Sequence, residues 1–334
     1  MSAVTRAHEP WDLSRDPPHR PRDSGKFPRD ARRGLRHNLA MPAEIIDGTA
    51  IAEEVHRETA ARVTALKARG IQPAVTFVRV GEDPASRAYV SRKHKKAEEL
   101  GIRSDTIVLD EKTPEAELLA LIARLNADPA IHGILIQAPL PSHIREQTVF
   151  ATVAPHKDVD GFHPVNVGKL LLGDDSGFRP CTPAGVHHLM IRSGVETRGA
   201  EVAIVGRGNI VGKPMAAILL QKAPHCDATI TLLHSRSRDI PAHTRRADIL
   251  IAALGKAHFV TADMVKPGAC VIDVGVNRVA DPASPRGYRL TGDVDFEKVR
   301  AVAGKITPNP GGVGPMTIAM LMANTARAAA MAHP

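Results

Sequence analysis

A short apolar run breaking into three spaced glycines constrains this chain more than any other feature. Residues 202–214 read Val-Ala-Ile-Val-Gly-Arg-Gly-Asn-Ile-Val-Gly-Lys-Pro. Val202 to Val205 reads as a buried strand, Gly206 and Gly208 as the turn after it. Gly212 falls in the first turns of a helix predicted over 210–220. Glycines there let the backbone approach a pyrophosphate closely, and the positive end of the helix dipole faces the anion. The G-x-G-x-x-x-G spacing is one residue longer than the usual fingerprint. Some 160 residues of folded-looking sequence precede this turn, so a dinucleotide domain follows another domain that must carry the substrate.

The chain before and after the turn alternates in the same way. Asp47 or Thr49 caps a predicted helix with the face Ile51, Val55, Val63 and Leu66, ended by Gly70. Strands are predicted at 74–80, 106–109 and 131–137, with helices over 86–100 and 114–125, the second with Pro114 at its first position. This rhythm implies a parallel sheet with ligands at the carboxyl ends of its strands. A second series follows: strands at 202–205, 229–233, 249–253 and 270–274. An Ala/Met-rich helix over 316–332, with Pro315 at its start, closes the chain. The fold class expected is therefore α/β with two domains, an N-terminal α/β domain and a Rossmann-like one, and a cleft between them. The boundaries expected are 41–178 and 179–315, with the helix over 316–334 completing the first domain.

The first forty residues contain five prolines, mixed charges and no apolar period, and are expected to be a disordered extension ahead of Met41. They lack an apolar core for export and carry acids a transit peptide would avoid. They hold nine of the 44 basic and five of the 36 acidic residues. The body is thus only mildly basic and poor in aromatics, which argues against a nucleic-acid partner. No apolar run is long enough to span a membrane. Cys181, Cys226 and Cys270 are isolated, without metal spacing, and suit inert thiols in a reducing cytoplasm.

Several residues could carry chemistry. Tyr89 and Lys93 are four apart on one helix face, just past the first strand. A lysine can act as general base if a dry or cationic setting lowers its pKa, and Lys95 and Lys96 are nearby cations; a solvated basic face is the bland alternative. Gln137 ends a strand before a proline-stiffened loop, placed to orient a substrate or simply to hold that loop. Asp158 and Asp160 could ligate Mg²⁺, but no third oxygen ligand stands at a useful offset, so no metal is expected. Asp160 could instead read a flat heterocycle, or bond its own backbone in an Asp-Gly turn. Pro310, Gly311, Gly312, Val313 and Gly314 form a dense glycine run that exposes backbone N–H groups. After the second strand of the nucleotide domain, where an NAD site shows an acid, the chain has His234, Ser235, Arg236 and Ser237. With Arg207 in the turn, that is a cationic, hydroxyl-bearing pocket suited to a 2′-phosphate, favouring NADP over NAD.

Five segments in register around the nucleotide turn make the chain resemble the bifunctional methylenetetrahydrofolate dehydrogenase/methenyltetrahydrofolate cyclohydrolase family. They are Tyr89-Val-Ser-Arg-Lys93, Gly133-Ile-Leu-Ile-Gln-Ala-Pro-Leu-Pro141, Lys157-Asp-Val-Asp-Gly161, Pro180-Cys-Thr-Pro183 and Pro310-Gly-Gly-Val-Gly-Pro-Met-Thr317. The resemblance implies oxidation of 5,10-methylenetetrahydrofolate with NADP, then hydrolysis to 10-formyltetrahydrofolate. It implies a catalytic Lys93 assisted by Gln137, a Tyr89 stacked on the aminobenzoyl ring, an Asp160 on the pterin, and a folate-lining run at 310–314. Gly206 to Gly208, Ser235 and Val276 match the family's NADP contacts. A cytoplasmic homodimer in one-carbon metabolism, feeding purine biosynthesis, is implied too. Gly208 departs from a frequent serine and Ala138 from a more usual leucine. A different two-domain NADP-dependent dehydrogenase would leave Tyr89, Lys93 and the 310–317 run without roles. A non-catalytic dinucleotide- or folate-binding protein would have no need of a buried amine.

Overall fold

A computed structural model of the chain describes residues 42–284 and 287–333. The expected disordered extension lies outside the described residues. The first half runs β1 (Glu44–Ile45), α1 (Gly48–Ala68), β2 (Ala74–Val80), α2 (Pro84–Glu99), β3 (Arg103–Leu109), α3 (Glu115–Ala127), β4 (Gly133–Ile136), α4 (Glu146–Thr152) and α5 (Pro164–Leu172). Next come α6 (Cys181–Arg192), β5 (Glu201–Val205), α7 (Gly212–Leu219), β6 (Thr229–Leu233), α8 (Ile240–Thr244), β7 (Ile249–Ala252) and β8 (Cys270–Asp273). A hairpin of β9 (Asn277–Ala280) and β10 (Tyr288–Thr291), then α9 (Phe296–Arg300), β11 (Lys305–Ile306) and α10 (Val313–Ala332), complete the order.

Two parallel sheets bear out the α/β expectation. The first has the order β3-β2-β4, with Val75 opposite both Ser104 and Gly133. All residues of β2 are buried, as a central strand covered on both faces requires, whereas β3 alternates and forms an edge. The second sheet has the order β1-β11-β8-β7-β5-β6. Its edge pair joins residues 44–45 to residues 305–306. Two-residue strands carry no periodic signal, so nothing in residues 44–45 themselves marks them as part of the second sheet.

Between the sheets, α6 and α10 pack against each other and α10 against α1. Small residues permit close approach: a Cβ on Gly185 of α6 would stand 2.9 Å from Met316 Cβ of α10. One apolar core therefore runs from Val55 and Val63 of α1, through Leu189 and Leu321, to Ile204 and Ile251 of the second sheet. The two sheets are therefore joined through one interior.

Several boundaries differ from expectation for identifiable reasons. Asp47 does cap α1, its Oδ1 accepting from the Thr49 and Ala50 N–H groups at 2.9 and 3.0 Å. The α2 helix starts earlier than expected, at Pro84, because Asp83 caps it by accepting from Ser86 N. Pro114 is the N-cap of α3 rather than its first residue. Pro315 is the third residue of α10, which begins at Val313, so the glycine run enters the helix itself. A proline tolerates any position in the first turn, where N–H groups lack intrahelical partners.

The 158–166 segment shows how an irregular loop is fixed. Asp158 is buried and accepts from the backbone N–H groups of Gly161, Phe162 and His163 and from Asn166 Nδ2. Asn166 also donates to Pro155 O and accepts from Phe178 N. We expect Asn166→Ala to lose these three contacts and lower unfolding stability by about 3 kcal/mol. A chemical-denaturation midpoint unchanged from wild type would contradict that role.

Candidate active site

Lys93, Tyr89, Gln137 and Asp160 come together at the carboxyl ends of the first sheet. Residue 93 lies on the helix that follows β2, and Gln137 is the first residue past β4. Lys93 is only 3% exposed, so the solvated-face alternative fails. Its Nζ donates to Gln137 Oε1 at 3.1 Å and stands 4.6 Å from the centre of the Tyr89 ring. Gln137 Nε2 donates to Ala138 O at 2.6 Å, which leaves its Oε1 turned to the lysine.

The electrostatics follow from burial. Loss of water pushes the Lys93 amine below its ordinary pKa, and the Asp160 carboxylate opposes this. The cationic neighbours expected to do so are otherwise engaged: Lys96 pairs with Glu99 at 2.7 Å and Glu53 at 3.4 Å, and Lys95 with Glu99 at 3.9 Å. Burial raises the Asp160 carboxyl, while the Lys93 ammonium lowers it. Burial likewise pushes the Tyr89 phenol up to about 12, so it stays neutral. Thr317 Oγ1 lies 3.0 Å from Thr182 Oγ1, tying α10 to α6.

The paired acids have separate tasks. The backbone-bonding role anticipated for Asp160 belongs to Asp158, which frees Asp160 to face Lys93. No group of three or more metal-ligating side chains occurs among the described residues.

Residues 310–314 link β11 to α10 and lie against the start of α1. A Cβ on Gly48 would stand 1.8 Å from Gly312 O, and Gly311 has φ of +102°. Pro310 and Val313 bracket these glycines, and a Cβ on Gly314 would meet nothing within 4 Å. Asn309 Nδ2 donates to Gly275 O, joining the run to the end of β8.

The nucleotide turn sits at the carboxyl end of β5. Gly206 has φ of +125°, and a Cβ there would stand 2.0 Å from Ala253 O. A Cβ on Gly212 would stand 1.8 Å from Gly206 O. On Gly208 it would meet no protein atom within 4 Å. Gly206 and Gly212 are thus demanded by the fold, whereas Gly208 borders open space that a phosphate can fill. Arg207, Ser235 and Arg236 are exposed, the last two in a turn held by His234 Nδ1 accepting from Arg236 N. Val276, 67% exposed at the end of β8, offers an apolar surface on the same edge. A glycine cradle, two exposed guanidinium groups and an apolar wall suit a phosphorylated dinucleotide.

The loop beside that edge rests on two acids that sequence reasoning missed. Asp273 accepts from the N–H groups of Gly275, Asp293 and Val294. Asp293 accepts from those of Leu254, Gly255 and Lys256 and from Asn277 Nδ2. Burial pushes the Asp273 carboxyl up to about 6. Asp273 ends a strand and Asp293 follows a hairpin, and single sequences do not reveal such long-range pairing of acids with backbone.

Comparison with known proteins agrees with this geometry. Residues 46–160 match the family model described as tetrahydrofolate dehydrogenase/cyclohydrolase, catalytic domain, and residues 180–333 that of the NAD(P)-binding domain. The chain is 53% identical over 287 residues to bifunctional protein FolD 1 of Myxococcus xanthus, covering 86% of this chain and 98% of that one. It is 54% identical over 295 residues to bifunctional protein FolD of Desulfotalea psychrophila, covering 88% and 99%. Among solved structures, the bifunctional FolD enzyme of Campylobacter jejuni superposes with a TM-score of 0.82 at 44% identity, covering 86% of this chain and 99% of that one. The Trypanosoma brucei dehydrogenase-cyclohydrolase, complexed with NADP and an inhibitor, gives 0.83 at 39% identity, covering 87% and 98%. Both lobes of the fold and every segment that lines the site fall inside these matches, and the chain belongs to the tetrahydrofolate dehydrogenase/cyclohydrolase family.

Proposed function

We propose that this enzyme oxidises 5,10-methylenetetrahydrofolate to 5,10-methenyltetrahydrofolate and hydrolyses that product to 10-formyltetrahydrofolate. The observation that carries this reading is a buried amine, Lys93, held by Gln137 Oε1 over an aromatic ring and beside the Asp160 carboxylate. NADP, when bound, supplies the hydride acceptor for the first step. Gly206, Arg207, Gly208, Ser235, Arg236 and Val276 hold it, and the two arginines take the 2′-phosphate. The folate's adjacent nitrogens stabilise the cation left by hydride departure, so the protein's task there is positioning.

Positioning falls to Asp160, whose carboxylate accepts from the pterin N–H edge, and to Tyr89, whose ring stacks on the aminobenzoyl group. The glycine run 310–314, with Pro310 and Val313, lets backbone approach the folate closely. In the second step water adds to the methenyl carbon and a proton is released as the ring opens to the formyl product. Lys93 in its neutral form takes that proton, and its lowered pKa keeps a neutral fraction available. Gln137 fixes the direction of the amine.

The lobe boundaries at 178 and 315 belong to the same proposal, with residues 316–334 serving the first lobe. The reading extends to a cytoplasmic homodimer whose formyl product feeds purine biosynthesis; three free, buried cysteines fit a reducing compartment. Purified enzyme with 5,10-methylenetetrahydrofolate is expected to reduce NADP faster than NAD and then to hydrolyse added methenyltetrahydrofolate. Absence of turnover with either nucleotide would overturn the function, and faster turnover with NAD would overturn the phosphate pocket.

A further inference from the structure

Around the peptide that precedes Asp160 lies a small polar cluster with no role in the chemistry above. Asn324, in the middle of α10 and 8% exposed, places its amide inside a helix interface otherwise built from alanine, methionine and leucine. Its Nδ2 donates to Val159 O at 2.8 Å and reaches Arg179 O at 3.4 Å and Cys181 Sγ at 3.6 Å. All three partners belong to the two segments that meet beneath Asp160. Cys181 is fully buried, and its thiol donates to Val159 O at 3.2 Å. Its backbone N donates to Asp160 O at 3.3 Å. The next residue of the loop is as tightly placed, since a Cβ on Gly161 would stand 2.6 Å from Pro180 N.

A buried amide in an apolar helix pair costs desolvation unless its partners justify it. Here the partners are the carbonyl immediately before Asp160 and the thiol that donates to that same carbonyl. We propose that Asn324 and Cys181 are positioning residues for Asp160, an amide–thiol brace that aims its carboxylate at the folate. This rests on the folate-binding reading of Asp160 given above. Lys93 and Tyr89 face the carboxylate from α2, Asp158 from its own loop and Cys181 from α6. The amide and the thiol converge on Val159 O, and the Cys181 N–H holds Asp160 O, so the backbone that carries the carboxylate is fixed on both sides of its peptide. Without these contacts the carboxylate loses its aim.

The test is a double-mutant cycle on the full chain, reading KM for methylenetetrahydrofolate and the dissociation constant for NADP separately. Cys181→Ala and Asn324→Ala are each expected to raise the folate KM about 10-fold, the loss of one hydrogen bond to a charged or buried group. The NADP dissociation constant is expected to stay within about twofold, since neither residue touches the nucleotide edge. Cys181→Ser, which keeps a donor, should bring KM back to within about threefold of wild type. In an Asp160→Asn background, Cys181→Ala should change KM by less than about twofold, because the brace then has no carboxylate to aim. An undiminished 10-fold effect in that background, or wild-type KM in Cys181→Ala, would overturn the brace while leaving the enzymatic function intact. Should Asn324→Ala fail to fold, the two cysteine variants decide the matter. A wild-type chain that binds no folate overturns both proposals.

Discussion

Replacing Lys93 with methionine is expected to lower cyclohydrolase kcat by about 10²–10⁴-fold, the range general-base assistance supplies. Methionine keeps an unbranched apolar stem of similar length, so the buried position stays filled. What disappears is the one amine that Gln137 Oε1 and the Tyr89 ring hold over the site. Hydride transfer needs no side-chain base, so NADP reduction should fall far less, and methenyltetrahydrofolate should accumulate as a released product. Separate assays of the two half-reactions check this. Equal losses in both would mean that Lys93 works by binding folate rather than by moving a proton.

The pH dependence of cyclohydrolase has a definite sign. Burial lowers the Lys93 pKa, and the Asp160 carboxylate raises it. The neutral amine therefore vanishes as pH falls through that lowered value, giving cyclohydrolase an acid limb. Asp160→Asn removes the opposing carboxylate, so the limb should move to lower pH even as folate KM rises. A limb that moves to higher pH would place the titration on some other group.

That Tyr89, Lys93 and Gln137 lie close to one another was legible in the sequence, because helix spacing and strand ends fix geometry. Tyr89 and Lys93, four apart, had to share a face, and a residue ending a parallel strand had to reach the sheet's carboxyl edge. Less legible was the division of labour between Asp158 and Asp160. Two acids two apart look alike in sequence, and only the fold decides which one the surrounding N–H groups consume. The source of the Lys93 perturbation was misjudged for a similar reason. Neighbouring lysines are obvious in sequence, whereas burial of one among them depends on α10, more than two hundred residues later. Asn324 had no signal, since an asparagine in an alanine-rich helix reads as ordinary packing, and Cys181 was marked only as part of the Pro180–Pro183 segment, with no role attached. The nucleotide turn stands at the other extreme. Its glycines announce themselves, but the sequence treats all three alike, and the structure does not.

That inequality yields the second large effect. Gly206→Ala should raise the NADP dissociation constant by about 100-fold or more, because a side chain is strained at positive φ and must also displace neighbouring backbone. The new Cβ would fall 2.0 Å from Ala253 O and 2.7 Å from Ala253 C, atoms that follow β7 and cannot swing aside as a flexible side chain would. Relief requires β5 and β7 to part at their carboxyl ends, where the nucleotide is held. Hydrolysis of methenyltetrahydrofolate needs no nucleotide, so cyclohydrolase turnover should survive within about tenfold. Gly208→Ala makes the contrast. Its Cβ meets no protein atom, so thermal stability should match wild type while NADP affinity falls about 10-fold, the added methyl standing where the backbone approaches the phosphates. Nucleotide titration and thermal unfolding on both variants separate the two glycines. If Gly208→Ala leaves NADP affinity untouched, the open space beside it is not the pyrophosphate site, and the cradle must be sought nearer to the entrance of α7.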